Sequence, residues 1–213
     1  FLNTVIFDLD GTLLDTIGDL AEAVNFALEN NGLSRLPVET IKSYVENGAA
    51  RLIERSSGSK HGEPLFEKCR KDFSAYYMSY LHVFTKPYEG VSETLKELKN
   101  RGFNTAILSN KPDNAVKELS DFFFKGLIDI ALGERGGVPK KPDPTAVLEI
   151  IDRFGVNKED VIYVGDSEVD IQTGRNAGVK TLSCLWGFKT KEFLVENGAE
   201  ILLEKPNDIL KHL

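Results

Sequence analysis

Two aspartates, Asp8 and Asp10, stand one residue apart in VIFDLDGT (residues 5 to 12), where an apolar run ends. Carboxylates this close repel each other and lose hydration when buried, so they need a source of positive charge. Further along, Ser109, Asn110 and Lys111 follow the run AIL, Lys141 stands in KKPDP, and Asp166 and Asp170 follow VIYVG. Three or four carboxylates with a hydroxyl and an ammonium suit a hard cation and a phosphoryl group. His61, His82 and His212 are scattered, with no spacing that suits zinc.

These groups must be brought together by the elements that carry them. Runs of strand character cover Thr4–Asp8, Phe103–Leu108, Ile128–Leu132 and Val161–Val164, with weaker ones at Val179–Cys184 and Glu200–Leu203. Helical spacing separates them at Val91–Arg101, Asn114–Ser120, Pro144–Phe154, Val169–Ala177 and Lys191–Asn197, several closed by glycine. This alternation predicts an α/β fold with a Rossmann-like parallel sheet, whose ligands sit outside the carboxyl ends of the strands. Each chemical group above follows or closely precedes such an element. Between Asp15 and Lys86 only helical patterns occur, at Ile17–Asn30, Val38–Glu46, Ala49–Arg55 and Leu65–Phe84, with a loop over residues 56–64. The expected organisation is therefore a core of residues 1–15 and 87–213 with an α-helical domain, residues 16–86, inserted after the first strand.

The 213 residues are 41% hydrophobic and carry a net charge of −7, which suits a folded core and argues against a nucleic-acid surface. No apolar stretch has the length of a membrane span and no signal segment is evident, so a cytoplasmic protein with reduced Cys69 and Cys184 is expected.

The ordered set Asp8-Leu9-Asp10-Gly11-Thr12, Ser109, Lys141 and Gly165-Asp166-Ser167-Glu168-Val169-Asp170 resembles the four motifs of the haloacid dehalogenase superfamily, in its phosphatase branch. The resemblance covers Val5 to about Gly187 and makes the helical insert a cap domain. It implies Asp8 as nucleophile, forming an aspartyl-phosphate, and Asp10 as the acid, then base, of the two half-reactions. It also implies Mg²⁺ on the Asp8 carboxylate, the Asp10 main-chain carbonyl and Asp166. Ser109, the N–H of Asn110 and the catalytic Lys141 would hold the phosphoryl oxygens. Thr12 joins the substrate-binding set and can tie the turn down, while Asp170 would orient Lys141 or metal-bound water. The second motif aspartate, Asp10, separates this chain from dehalogenases of the same family, which lack it.

Within the insert, YVENGAARLIERS (residues 44 to 56) resembles the cap segment of phosphoglycolate phosphatases, with Asn47, Gly48, Ala49 and Arg51 at the matching positions. A helix N-terminus and an arginine suit a small carboxylate, so Gly48 and Arg51 are candidate substrate-binding residues. Glu89 and Lys140 depart from the common pattern without removing a catalytic group. The reading is a Mg²⁺-dependent phosphatase of a small phosphorylated metabolite, 2-phosphoglycolate first, acting as a monomer or homodimer. A sugar phosphomutase of the β-phosphoglucomutase type, and a non-enzymatic phosphoryl-accepting signalling module, are the alternatives. Other residues read more simply: Lys111 as a solvated lysine, DFFFKG (residues 121 to 126) as packing, and Trp186 as a residue lining the site; Gly165-Asp166-Ser167, taken alone, reads equally as a helix N-cap turn.

Overall fold

The structure, a computed structural model, describes residues 2–45 and 48–213. In chain order the elements begin with β1 (Thr4–Phe7) and β2 (Leu14–Asp15), followed by α1 (Ile17–Asn30), α2 (Val38–Lys42), α3 (Gly48–Ser57) and α4 (Pro64–Ser79). The chain continues through β3 (Lys86–Pro87), α5 (Val91–Asn100), β4 (Asn104–Pro112), α6 (Asp113–Phe124), β5 (Ile130–Glu134) and α7 (Thr145–Phe154). It closes with β6 (Val161–Gly165), α8 (Glu168–Ala177), β7 (Lys180–Cys184), α9 (Lys191–Glu196), β8 (Leu202–Leu203) and a 3₁₀ turn, Pro206–His212. The chain divides into two compact units, Phe1–Asp15 with Pro87–Leu213, and Thr16–Lys86.

The first unit is built on a six-stranded sheet of order β5-β4-β1-β6-β7-β8, with every described pairing parallel. β1 lies between β4 and β6, and its four residues are all buried. A strand covered on both faces reads as continuous apolar sequence, which is why TVIF carries no alternation. Side-chain alternation still sorts the core: Ile6, Ala106, Leu108 and Tyr163 meet Val147 and Ile150 of α7. Phe7 instead lines a small cavity with Val91 and Leu95 of α5 and Ile209 of the 3₁₀ turn. The α7 and α8 helices end at Gly155 and Gly178 in the left-handed conformation, the C-cap role their sequence suggests.

β4 is longer than its apolar run. It continues past Leu108 through Ser109, Asn110 and Lys111 to Pro112, after a register shift that pairs Pro112 with Glu134 of β5. The site segment that follows AIL is thus extended strand rather than loop.

The second unit is helical. Leu20, Val24 and Leu28 of α1 and Phe66, Cys69 and Phe73 of α4 are buried. The apolar pattern of α4 predicts a helix to Phe84, yet the helix ends at Ser79. The chain is captured there by Asp19, whose carboxylate accepts from the N–H groups of Phe84 (3.0 Å) and Thr85 (2.8 Å). Likewise α2 stops at Lys42, and α3 and α4 extend to Ser57 and from Pro64, shortening the loop expected over residues 56–64. Cys69 and Cys184 are free and buried.

Candidate active site

Asp8 is the first residue beyond the carboxyl end of β1, and its N–H donates to Val164 O of β6 at 2.9 Å. The next turn is wound around Leu9, whose carbonyl accepts from the N–H groups of Thr12 (3.3 Å), Leu13 (3.0 Å) and Leu14 (3.0 Å). Leu9 is fully buried, so the apolar residue between the two aspartates anchors the turn. Gly11 has φ +83°, and a Cβ there would lie 2.2 Å from Asp166 Oδ2. Both the backbone and the space require glycine at this position.

Lys141 closes the pocket. Its ammonium lies 2.9 Å from Asp8 Oδ1 and 2.7 Å from Asp170 Oδ1, with 4% of its side chain exposed. It donates to the Tyr163 hydroxyl (3.1 Å), which in turn donates to Asp170 Oδ1 (3.0 Å). The Asn110 side chain grips the Lys141 backbone at both ends: Lys141 N–H donates to Asn110 Oδ1 (2.9 Å) and Asn110 Nδ2 donates to Lys141 O (3.1 Å). The family resemblance assigns Asn110 only a main-chain role, so this side-chain grip is a second one. We expect Asn110→Ala to keep the fold and to lower kcat by about 10- to 100-fold, since misplacing a charged group by an ångström has effects of that order. Steady-state kinetics beside a thermal melt check this.

Asp166 is held from both sides. Thr12 Oγ1 donates to its Oδ1 (3.2 Å) and the N–H of Phe188 to its Oδ2 (2.8 Å). The Trp186 indole N–H donates to Thr12 O at 2.9 Å, so this residue braces the aspartate turn. Gly187 has to be small, because a Cβ there would lie 2.4 Å from Asp166 Cβ and 2.5 Å from Gly11 O. Only its place in LWGF, after the β7 run, hinted at this.

Asp170 is saturated. Besides Lys141 and Tyr163 on Oδ1, its Oδ2 accepts from Asp166 N–H (3.1 Å), Ser167 N–H (3.2 Å) and the Ser167 hydroxyl (2.8 Å). Ser167 is also the N-cap of α8, forming a capping box with Asp170. The helix-start reading of this segment and the functional one therefore describe the same hydrogen bonds.

Ser109 is buried, and its Oγ accepts from the N–H of Lys111 at 3.2 Å. Lys111 differs from expectation. Its side chain is 3% exposed and its ammonium lies 2.9 Å from Asp10 Oδ1, so it is an enclosed ion-pair partner rather than a solvated lysine.

Oxygens of Asp8, Asp166 and Asp170 lie within 4.8 Å of one another. Burial, together with the charges of Asp170 and Asp10 and against that of Lys141, pushes the Asp8 carboxyl up from 3.8 to about 7. Burial, with the charges of Asp170 and Asp8, also holds Asp166 well above the usual carboxylate range. Burial works to lower the Lys141 ammonium, but Asp170 and Asp8 more than offset it and hold it well above the usual lysine range. One ammonium among three buried carboxylates leaves an excess of negative charge. An all-oxygen donor set of this kind fits a hard divalent cation.

Asp8, Asp10, Thr12, Ser109, Asn110, Lys141, Asp166 and Asp170 all belong to the first unit, at or just past the carboxyl ends of β1, β4 and β6 or, for Lys141, in the β5–α7 connection. Gly48 and Arg51 belong to the second unit. Gly48 opens α3 with φ +83°, and Arg51 is exposed and paired with Glu54 at 2.8 Å. Asn47, the neighbouring candidate, lies outside the described residues.

A parallel sheet with an acid cluster and a buried lysine at its carboxyl edge has the layout of an α/β ligand site, with donors that could hold a cation. A family model of haloacid dehalogenase-like hydrolases matches residues 5–184. Phosphoglycolate phosphatase of Aquifex aeolicus is 33% identical over 211 residues, covering 99% of this chain and 96% of the relative. That of Nitrosospira multiformis is 39% identical over 197 residues, covering 88% and 85%. A solved structure from Lactobacillus delbrueckii subsp. bulgaricus superposes with a TM-score of 0.91 at 32% identity, covering 99% of this chain and 97% of that one. The chain belongs to the haloacid dehalogenase-like hydrolases.

Proposed function

We propose that this chain is a Mg²⁺-dependent phosphatase that hydrolyses a small phosphate monoester through an aspartyl-phosphate on Asp8, with 2-phosphoglycolate as substrate. The observation that carries the reading is the placement of Asp8 at the end of the central strand, 2.9 Å from the Lys141 ammonium and beside Asp166. The relatives named phosphoglycolate phosphatase, at 33% and 39% identity, support the choice of substrate.

Mg²⁺ would be held by the Asp8 carboxylate, the Asp10 main-chain carbonyl and Asp166, and would supply charge neutralisation between the attacking carboxylate and the phosphoryl oxygens. Asp170 already accepts five hydrogen bonds on roughly four lone-pair sites, which favours its service as a brace for Lys141. Asp8 attacks phosphorus as Asp10 gives a proton to the departing ester oxygen, and Asp10 then takes a proton from the water that releases phosphate. Lys141, Ser109 and the N–H of Asn110 hold the equatorial oxygens, where transition-state charge spreads. Thr12 contributes by fixing Asp166. The helical unit selects the substrate, with the N-terminus of α3 at Gly48 and the Arg51 guanidinium binding its carboxylate. The Arg51–Glu54 pair lies at the surface within one helix, where ion pairs contribute little, so the guanidinium can turn to a better partner.

Phosphate release from a panel of small esters with Mg²⁺ tests this. 2-Phosphoglycolate is expected to lead the panel, and a flat profile would remove the substrate assignment.

The burial of Asp8 also fixes a pH dependence. Asp8 holds its proton more tightly folded than unfolded, so in EDTA its contribution favours the fold at low pH and is lost as pH rises from about 4 to about 7. Asp8→Asn removes that contribution. Thermal midpoints in EDTA should therefore shift in favour of Asp8→Asn as pH rises through this window, and Mg²⁺ should restore the native chain. A difference that does not move with pH would contradict the burial of an unneutralised Asp8.

A further inference from the structure

We infer that Lys111 is a positioning residue for Asp10: it fixes the carboxylate that exchanges protons with the ester oxygen and the attacking water. This rests on the phosphatase reading above and adds to it a residue outside the four motifs.

Three observations carry it. The Lys111 ammonium lies 2.9 Å from Asp10 Oδ1, and the two side chains are only 3% and 13% exposed, so solvent does little to screen the pair. The second is the backbone from which Lys111 reaches. It sits in the extension of β4 beyond the register shift, where its N–H donates to Ser109 Oγ at 3.2 Å. On the β5 side the fit is tight, since a Cβ on Gly133 would come within 2.5 Å of both Lys111 O and Asp113 Cα, and Gly133 N–H donates to Asp113 Oδ1 at 2.9 Å. The third is the division of labour between two lysines. Lys141 engages Asp8 and Asp170, while Lys111 engages Asp10, so each aspartate of the DLD pair has its own ammonium delivered from a different segment.

The consequence is chemical. With Lys111 holding its Oδ1, the Asp10 carboxyl is fixed in one orientation for the proton it transfers. In the first half-reaction a bond forms from Asp8 to phosphorus and the P–O ester bond breaks. The electron pair of that bond goes to the ester oxygen, which takes the proton from Asp10. An alkoxide leaves poorly without that proton, whereas p-nitrophenolate leaves well without it. Loss of Lys111 should thus injure alkyl esters selectively.

The test compares kcat/KM for 2-phosphoglycolate and p-nitrophenyl phosphate in the native chain and in Lys111→Met. This quantity reports only the steps through alcohol release, so slowing of the later hydrolysis does not obscure it. The expected result is a loss of about 100-fold on the alkyl ester and under about 5-fold on the nitrophenyl ester. An equal loss on both, or a loss on neither, overturns the inference. Should Lys111→Met not fold, Lys111→Gln keeps a donor toward Asp10 with less reach and no charge, and the same ratio of rates must fall. An unchanged ratio there overturns the inference as well. A native chain that releases neither alcohol refutes the phosphatase reading itself, whereas native activity with an unchanged ratio refutes only the part given to Lys111.

Discussion

Asp8→Asn is expected to lower phosphate release by about four orders of magnitude or more while the protein stays folded, because the amide removes the attacking group and little volume. The position leaves no substitute nucleophile of equal placement. Asp8 leads directly from the buried strand at the middle of the sheet, and its N–H is still tied to Val164 at 2.9 Å. Asp166 is held by Thr12 and Phe188, and Asp170 by five donors, so neither can advance toward phosphorus. Residual activity within tenfold of native would show that water attacks phosphorus directly and that Asp8 only binds the cation.

Lys141→Met should cost both stability and rate, and it should be the most costly of these substitutions for stability. The ammonium is buried between Asp8 and Asp170, and removing one partner of a buried ion pair leaves charge uncompensated at roughly 3–5 kcal/mol. The same change deletes a donor to the phosphoryl oxygens, a loss of about 10²–10³ in kcat. A chemical-denaturation series and kcat at saturating Mg²⁺ measure the two effects. Since the cation would bind the uncompensated negative charge only in the folded state, Mg²⁺ should recover part of the stability and little of the rate. Recovery of both together would assign Lys141 a purely electrostatic part in folding.

The α/β class and the strand ends that carry Asp8 and Asp166 were legible because they depend on short-range signals: a run such as TVIF or VIYV, followed at once by an acidic turn. The same locality explains what was not legible. The extension of β4 through Pro112 depends on pairing with Glu134 of β5 after a register shift, and nothing in SNKP itself announces a strand. The burial of Lys111 depends on Asp10, in the turn after β1 and about a hundred residues away, so its local setting reads as solvent. The Asn110 grip on the Lys141 backbone and the tight fit of Gly187 against Asp166 are likewise contacts between distant segments. Asp170 is a case where two readings coincide, since the carboxylate that completes the α8 capping box also braces Lys141. In the helical unit the periodicity of α1 and α4 was clear. The end of α4 was not, because Asp19 rather than the α4 sequence captures the chain at Phe84 and Thr85.

In this mechanism the phosphoryl group passes through Asp8. The most direct measurement is to mix the native chain with 2-phosphoglycolate and Mg²⁺, quench in acid within the first turnover, and map the digested protein by mass spectrometry. The expected result is a phosphoryl adduct on Asp8 that appears before free phosphate and decays as phosphate is released. Full release of phosphate in that turnover with no adduct on Asp8, or an adduct on another residue, would contradict it.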